Sequence, residues 1–216
     1  MSFTFNYYYY LFILIFLISR YESFGHLLQR LSFKAPTQMR MFRGPLFGRL
    51  QALVHGDCWV NNVMFRYPDG NLCDPISLGM IDFQQCRWGC PALDVHHFLF
   101  VSSNMDVMMN HLESLVDDYI NTVHEVIIKL KLDISIFPKE DFIADFHDSF
   151  IYGPILAFSH HVVDYQTDEL KADINSFKDA TPLKENSDWR KILQQEHVIN
   201  YFKLIFNVMK EKKYEC

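Results

Sequence analysis

The sequence reads HGDCWVNN at residues 55–62 and IDFQ at residues 81–84, and these two motifs decide the fold. Between them, the turn-forming residues Pro68-Asp69-Gly70-Asn71 separate two apolar runs, which is the pattern of a β-hairpin. A tight turn places the outer ends of antiparallel strands side by side. Asp57 and Asp82 are therefore predicted to be neighbours in space.

Polar side chains in the two motifs have the chemistry that transfer of a γ-phosphoryl group requires. Such a transfer needs a carboxylate that positions the acceptor hydroxyl, and oxygen ligands that hold Mg²⁺ against the phosphates. Asp57 suits the first role. Asn62 offers a neutral carbonyl oxygen and Asp82 an anionic one, so both are candidate magnesium ligands. The motif resembles a kinase catalytic loop, in which the imidazole packs and hydrogen-bonds to hold the turn, so His55 is predicted to be structural.

The spacing resembles that of kinases, in which an Asn follows the catalytic-loop Asp by five residues and an Asp-Phe-Gly motif comes later. Here Asp57 and Asn62 keep that step, and Gln84 after the Phe is distinctive. The region from Leu53 to Ser103 resembles the ecdysteroid kinase-like family, also called CHK kinase-like, which is similar to choline and aminoglycoside kinases. The residues that carry the resemblance are Val54-His55-Gly56-Asp57, Trp59, Asn61-Asn62, Ile81-Asp82-Phe83-Gln84 and Pro91-Ala92-Leu93-Asp94.

The resemblance implies an α+β protein kinase-like fold, represented by its mainly helical C-terminal lobe with a small catalytic β-hairpin. It implies ATP and Mg²⁺ as cofactors and a small-molecule alcohol as substrate, and the family name suggests a steroid-like one. In this family Asp57 would be the catalytic base, Asn62 and Asp82 would bind magnesium, and Asp94 would be a structural acid that braces the catalytic loop with His55. Residues that bind the nucleotide itself stay unknown.

The region before the first motif is shorter than this resemblance requires. A kinase needs a phosphate-binding loop, a strand lysine and a helix glutamate ahead of its catalytic loop, but only residues 1–54 precede His55. Lys34 is the only lysine there, and it lies too close to His55 for the intervening elements. The nucleotide lobe is therefore expected to be largely missing. Two functions stay open: an ATP- and Mg²⁺-dependent kinase, or a catalytically inactive remnant or partner-binding module.

An uncharged, apolar segment covers residues 2–19. A spanning helix needs about 20 apolar residues, and a signal peptide needs a basic start and a small-residue cleavage site. Three interpretations remain: a membrane anchor, an element buried against a missing partner, or a misassigned start of the coding sequence, which we favour. We predict that residues 1–49 comprise this segment and a connector, and that residues 50–216 form the catalytic lobe. The predicted location is the cytoplasm, or a membrane if 2–19 is an anchor.

The second half of the sequence predicts helices. Apolar residues recur at three- and four-residue steps from Met108 to Leu130 and predict helices with one apolar face, and Pro138 belongs in the first turn of another. Gly153-Pro154 is predicted to interrupt that helix, with another resuming after it. The polar segment 166–187 is predicted to be an exposed loop, and a last helix to begin at about Asp188.

Composition excludes several other classes of protein. A net charge of −6 and a pI near 5.9 provide no basic surface for nucleic acid. The five cysteines lack a CxxC pair and are odd in number, so reduced thiols are expected instead of a disulfide framework or a zinc site. The pairs His96-His97 and His160-His161 place adjacent imidazoles on different faces of a helix, so structural roles are predicted for them.

Overall fold

The computed structural model describes residues 37–42, 44, 47–69, 73–164, 191–192 and 194–211. The predictions for the apolar segment 2–19, for Lys34 and for the loop at 166–187 lie outside these residues. The chain divides into two compact units, Phe42–Gly153 and the combination of Met1–Met41 with Pro154–Cys216. A boundary between residues 49 and 50 stays a prediction.

Four short strands form two antiparallel sheets in the Phe42–Gly153 unit. The outer pair joins β1 to β4 and the inner pair joins β2 to β3. The strands are β1 (Ala52–Val54), β2 (Val63–Arg66), β3 (Ser77–Met80) and β4 (Arg87–Gly89). Because the inner hairpin is nested within the outer pair, the β1–β2 and β3–β4 connections both run between the two sheets. These connections are the two motifs.

The second strand of the predicted hairpin ends earlier than its apolar residues indicate. Apolar residues continue through Ile81 and Phe83, but β3 ends at Met80 and Phe83–Gln85 form a 3₁₀ turn. Asp82, at the start of that turn, has φ 63° and ψ 59°. A left-handed residue cannot continue an extended strand, so the chain turns there.

Helices make up most of the rest of this unit. They are α1 (Ala92–Ser102), α2 (Met105–Asn110), α3 (Leu112–Lys129) and α4 (Lys139–Asp148). The apolar residues between Met108 and Leu130 lie on two helices, α2 and α3, which His111, with φ −127° and ψ 4°, separates. Asn104 begins α2 by accepting a hydrogen bond from the backbone N–H of Val107 at 3.0 Å. Pro138 immediately precedes α4.

The next helix, α5 (Tyr152–Asp164), contains Gly153-Pro154 in its first turn. The prediction that this pair interrupts a helix is therefore wrong, and the interruption lies just before Tyr152. Proline fits the first turn because its missing N–H would have no partner there. Glycine is required at 153 because a Cβ would overlap the buried Phe100 ring.

In the other unit, the later turns of α5 pack against α6 (Glu196–Glu211). The buried Phe158 ring lies 5.0 Å from Phe202 and 5.3 Å from Phe206, measured between centroids. A last helix was predicted to begin at about Asp188. In the described residues, α6 begins at Glu196, and residues 191–192 are also helical. None of the helices in the described part of the chain combines the length and apolarity needed to cross a membrane.

His96, on α1, makes the stability of the fold depend on pH. Its ring stacks on Phe146 at 3.9 Å, and Nε2 lies 2.8 Å from the Phe146 carbonyl oxygen. Burial lowers the pKa of His96 from its ordinary value of 6.5 to about 3. The folded chain therefore keeps this imidazole neutral where the unfolded chain takes up a proton. Stability should fall as the pH drops below 6.5, by about 2 kcal/mol between pH 7 and pH 5.

Urea unfolding of wild type and of His96→Phe at both pH values measures this effect. Phenylalanine keeps the stacking partner of Phe146 but does not titrate, so the variant should lose about 2 kcal/mol less than wild type between the two pH values. An equal loss in both proteins would show that other groups cause the acid sensitivity.

Candidate active site

The two motifs are joined by hydrogen bonds across the space between the sheets. The backbone N–H of Ile81 donates to the Asn62 carbonyl oxygen at 3.0 Å, and His55 Nε2 lies 2.9 Å from the Ile81 carbonyl oxygen. The residue before Asp82 is therefore held by both ends of the first motif. This arrangement places Asp82 beside the loop that carries Asp57, as the hairpin pattern predicts.

His55 uses one ring nitrogen within its own motif and the other to reach the second motif. Nδ1 accepts a hydrogen bond from the backbone N–H of Asp57 at 3.3 Å, so the proton resides on Nε2, which faces Ile81. The ring of Phe83 lies 4.9 Å from the imidazole, centroid to centroid. His55 is buried, and these contacts are those of a residue that holds the loop in shape.

Asp94, near the start of α1, holds the same loop from the opposite side. Its carboxylate accepts the backbone N–H groups of His55 at 2.6 Å and Gly56 at 2.9 Å. Burial raises the pKa of Asp94, and the two N–H groups, followed by the charge of Arg87, oppose that rise. A carboxylate that takes one N–H group on each oxygen fixes the direction of the backbone leading to Asp57.

Asn62 fixes the backbone and the side chain of Asp57 together. This residue is buried, and its Nδ2 donates to the Asp57 carbonyl oxygen at 2.9 Å and to Asp57 Oδ2 at 3.0 Å. Both bonds use the NH₂ group and not the carbonyl oxygen that a magnesium ligand would supply. The Asp57 side chain remains 24% exposed, so an acceptor molecule can reach it.

His97, on α1, faces the other oxygen of Asp57. Its Nε2 lies 4.0 Å from Asp57 Oδ1, and its side chain is only 3% exposed. The structural role predicted for the His96-His97 pair did not include this contact. The signal that could have found it is the three-residue step from Asp94 to His97, which places both side chains on one face of the helix.

Asp82 lies exposed at the start of the second motif, and Gln84 Nε2 donates to its Oδ2 at 3.2 Å. Its left-handed backbone costs about 1 kcal/mol or more for a residue other than glycine, and such strain is concentrated at functional sites. The side chains of Asp82 and Asn62 offer hard oxygen donors of the kind that Mg²⁺ prefers. The donor chemistry of the site therefore fits magnesium.

Gly56 allows the two motif connections to approach each other closely. It has φ 79°, and a Cβ on it would overlap Arg87 Nη1 and the Gln85 carbonyl oxygen. Substitution Gly56→Ala should therefore lower the free energy of unfolding by about 2 kcal/mol. Gly79→Ala is the matched control, because a Cβ on this exposed β3 residue meets nothing within 4 Å, and its effect should stay within about 0.5 kcal/mol. Urea unfolding of the two variants measures the difference, and equal effects would contradict the close approach at Gly56.

Two thiols near the site, those of Cys58 and Cys90, are not activated. Burial raises the pKa of Cys58, next to Asp57, to about 12, and it raises the pKa of Cys90 to about 12 as well. Both thiols are therefore protonated at neutral pH. Among the described residues, no disulfide bond joins Cys58, Cys73, Cys86 or Cys90.

A buried carboxylate outside the motifs anchors the strand that leads into them. Asp145, on α4, accepts the backbone N–H groups of Arg49 at 2.9 and 2.8 Å and of Leu50 at 2.9 Å. Arg49 Nη1 donates to the same carboxylate at 2.9 Å and to the exposed Asp148 at 2.8 Å. Because Leu50 lies two residues before β1, this cluster sets the position from which the first motif begins.

Comparison with known proteins matches residues 17–132 to the ecdysteroid kinase-like family. The matched range includes both motifs as well as Asp94 and His97. No curated protein matches the chain, and no solved structure does. The match covers more than half of the 216 residues, and it agrees with the resemblance carried by the two motifs. The chain therefore belongs to the ecdysteroid kinase-like family.

Proposed function

We propose that the chain is an ATP- and Mg²⁺-dependent phosphotransferase that phosphorylates a hydroxyl group of a small molecule. The observation that carries this proposal is the exposure and orientation of the Asp57 carboxylate. This carboxylate is partly exposed and oriented by Asn62, and the loop that carries it is joined, through the bonds of Ile81 to Asn62 and His55, to the loop that presents Asp82. Family membership supports phosphoryl transfer as the type of reaction.

In the proposed reaction, Asp57 orients the acceptor hydroxyl and accepts its proton. The hydroxyl oxygen forms a bond to the γ-phosphorus while the bond from that phosphorus to the β,γ-bridging oxygen breaks, and ADP leaves. Asn62 and Asp82 would hold the metal, which neutralises charge on the phosphates when it is bound. For Asn62 to contribute its carbonyl oxygen, the NH₂ group can keep its bonds to Asp57, since the two ends of the amide point in different directions.

The contacts around Asp57 hold the catalytic loop in place before an acceptor binds. Asp94 fixes the N–H groups of His55 and Gly56, and His55 in turn fixes Ile81. The carboxylates therefore need little rearrangement when an acceptor binds. Holding reacting groups in place accounts for much of the catalysis in phosphoryl transfer, because little covalent chemistry is left to the protein.

The acceptor class is proposed from the family description. A polyhydroxylated steroid is the first acceptor to test, and choline and an aminoglycoside provide charged alternatives. Transfer from γ-labelled ATP to each compound, with Mg²⁺ or with EDTA, tests the reaction. Labelled product should form only with Mg²⁺. If no acceptor is labelled and calorimetry detects no Mg-ATP binding, the protein is not a kinase and the inactive remnant becomes the better explanation.

A further inference from the structure

Helix α1 contacts the catalytic loop at two points that lie about one turn apart. Asp94 accepts the N–H groups of His55 and Gly56, and His97 faces the side chain of Asp57, the next residue of the loop. Residues three positions apart project from the same face of a helix. One face of α1 therefore contacts three consecutive residues of the loop.

The two oxygens of the Asp57 carboxylate have different neighbours. Oδ2 accepts a hydrogen bond from Asn62 at 3.0 Å, whereas Oδ1 lies 4.0 Å from His97 Nε2. The longer distance exceeds that of a hydrogen bond, so the imidazole is a close neighbour of Oδ1 without donating to it. His97 is almost fully buried, so its ring has little room to turn away from the carboxylate.

The neighbouring histidine has a different environment. His96 is stacked on Phe146 and faces its carbonyl oxygen, which are the contacts of a residue that fills the core. His97 follows it on the same helix, yet its imidazole faces the one carboxylate to which the proposed reaction assigns proton transfer. A purely structural role explains the surroundings of His96 but does not explain why His97 faces Asp57.

We propose that His97 is a positioning residue, which holds the Asp57 carboxylate in the orientation that receives the acceptor hydroxyl. This inference rests on the proposed function. His97 acts through Asp57 and does not touch the reacting atoms. Its ring limits rotation of the carboxylate on the Oδ1 side, and Asn62 limits it on the Oδ2 side.

Three variants of the full chain test this role: His97→Phe, His97→Gln and, as a matched control, His96→Phe. The assay is Mg-ATP turnover with water as the acceptor. His97→Phe should lower kcat about 10- to 100-fold while KM for Mg-ATP changes less than about twofold. His97→Gln places a polar nitrogen near the position of Nε2 and should restore kcat to within about threefold of wild type. His96→Phe should leave kcat unchanged.

A double-variant cycle with Asp57→Asn separates this inference from the proposed function. If His97 acts through Asp57, adding His97→Phe to Asp57→Asn should cause no further loss of turnover. The shifts in Tm should also be non-additive by about 2 °C or more, whether or not the protein turns over ATP. Unchanged kcat in His97→Phe, or additive shifts in Tm, would overturn the role of His97. If the shifts in Tm of the variants are non-additive but the wild type does not turn over ATP, the proposed function is overturned, and with it the catalytic purpose of His97.

Discussion

Substitution of Asp57 by asparagine is expected to lower turnover about 1000-fold while the chain stays folded. Asparagine has nearly the same shape as aspartate and can still accept the hydrogen bond that Asn62 donates to Oδ2. It lacks the negative charge that orients the acceptor hydroxyl and receives its proton. The loss should therefore appear in kcat, with Mg-ATP binding nearly unchanged.

The measurement compares transfer of label from ATP by wild type, Asp57→Asn and Asp106→Asn. Asp106 is an exposed residue of α2 outside the motifs, so its substitution controls for the loss of one negative charge. Thermal unfolding should show Asp57→Asn within about 4 °C of wild type. Undiminished transfer by Asp57→Asn would mean that another group performs this role.

Removing the buried carboxylate of Asp145 is expected to have the largest effect on stability. In Asp145→Ala, the buried backbone N–H group of Leu50 and the partly buried one of Arg49 lose their acceptor. A buried N–H group left unpaired costs about 1–3 kcal/mol and the partly buried one adds less, so we expect the free energy of unfolding to fall by about 3 kcal/mol. Because these groups lie just before β1, the first motif should lose its position as well.

Asp148→Ala is the matched control for this substitution. Asp148 binds the same guanidinium of Arg49 at 2.8 Å, but its side chain is 56% exposed. An exposed ion pair contributes little, so this variant should lose less than about 1 kcal/mol. Urea unfolding at pH 7 measures both variants. Similar losses would show that the ion pairs to Arg49, and not the buried N–H groups, determine the stability of the cluster.

The hairpin and the approach of its two motifs could be predicted because the signals are local. Turn residues between two apolar runs set an antiparallel pair, and the outer ends of that pair carry the functional side chains. The exact end of β3 could not be predicted, since apolar residues continue through Ile81 and Phe83 although Asp82 adopts a left-handed conformation. Side-chain pattern alone does not report backbone dihedral angles.

The ends of the helices could not be predicted from the side-chain pattern either. The apolar stripe over 108–130 continues across His111, so periodicity cannot reveal that the chain changes direction there. Gly153 and Pro154 were misleading for a related reason. Both residues disfavour the interior of a helix, yet in the first turn the proline is tolerated and the glycine accommodates Phe100.

The sequence by itself determined the candidate chemistry of this protein: Asp57, Asn62 and Asp82, their spacing, and the family to which they belong. The sequence also pointed to His55 and Asp94 as their supports, but only the tertiary structure showed that His97 and Asp145 take part. His97 lies 40 residues after Asp57 in the chain, and Asp145 is separated from Arg49 by 96 residues. Contacts between such distant residues depend on how helices pack against the strands, and no local pattern of residues encodes that packing.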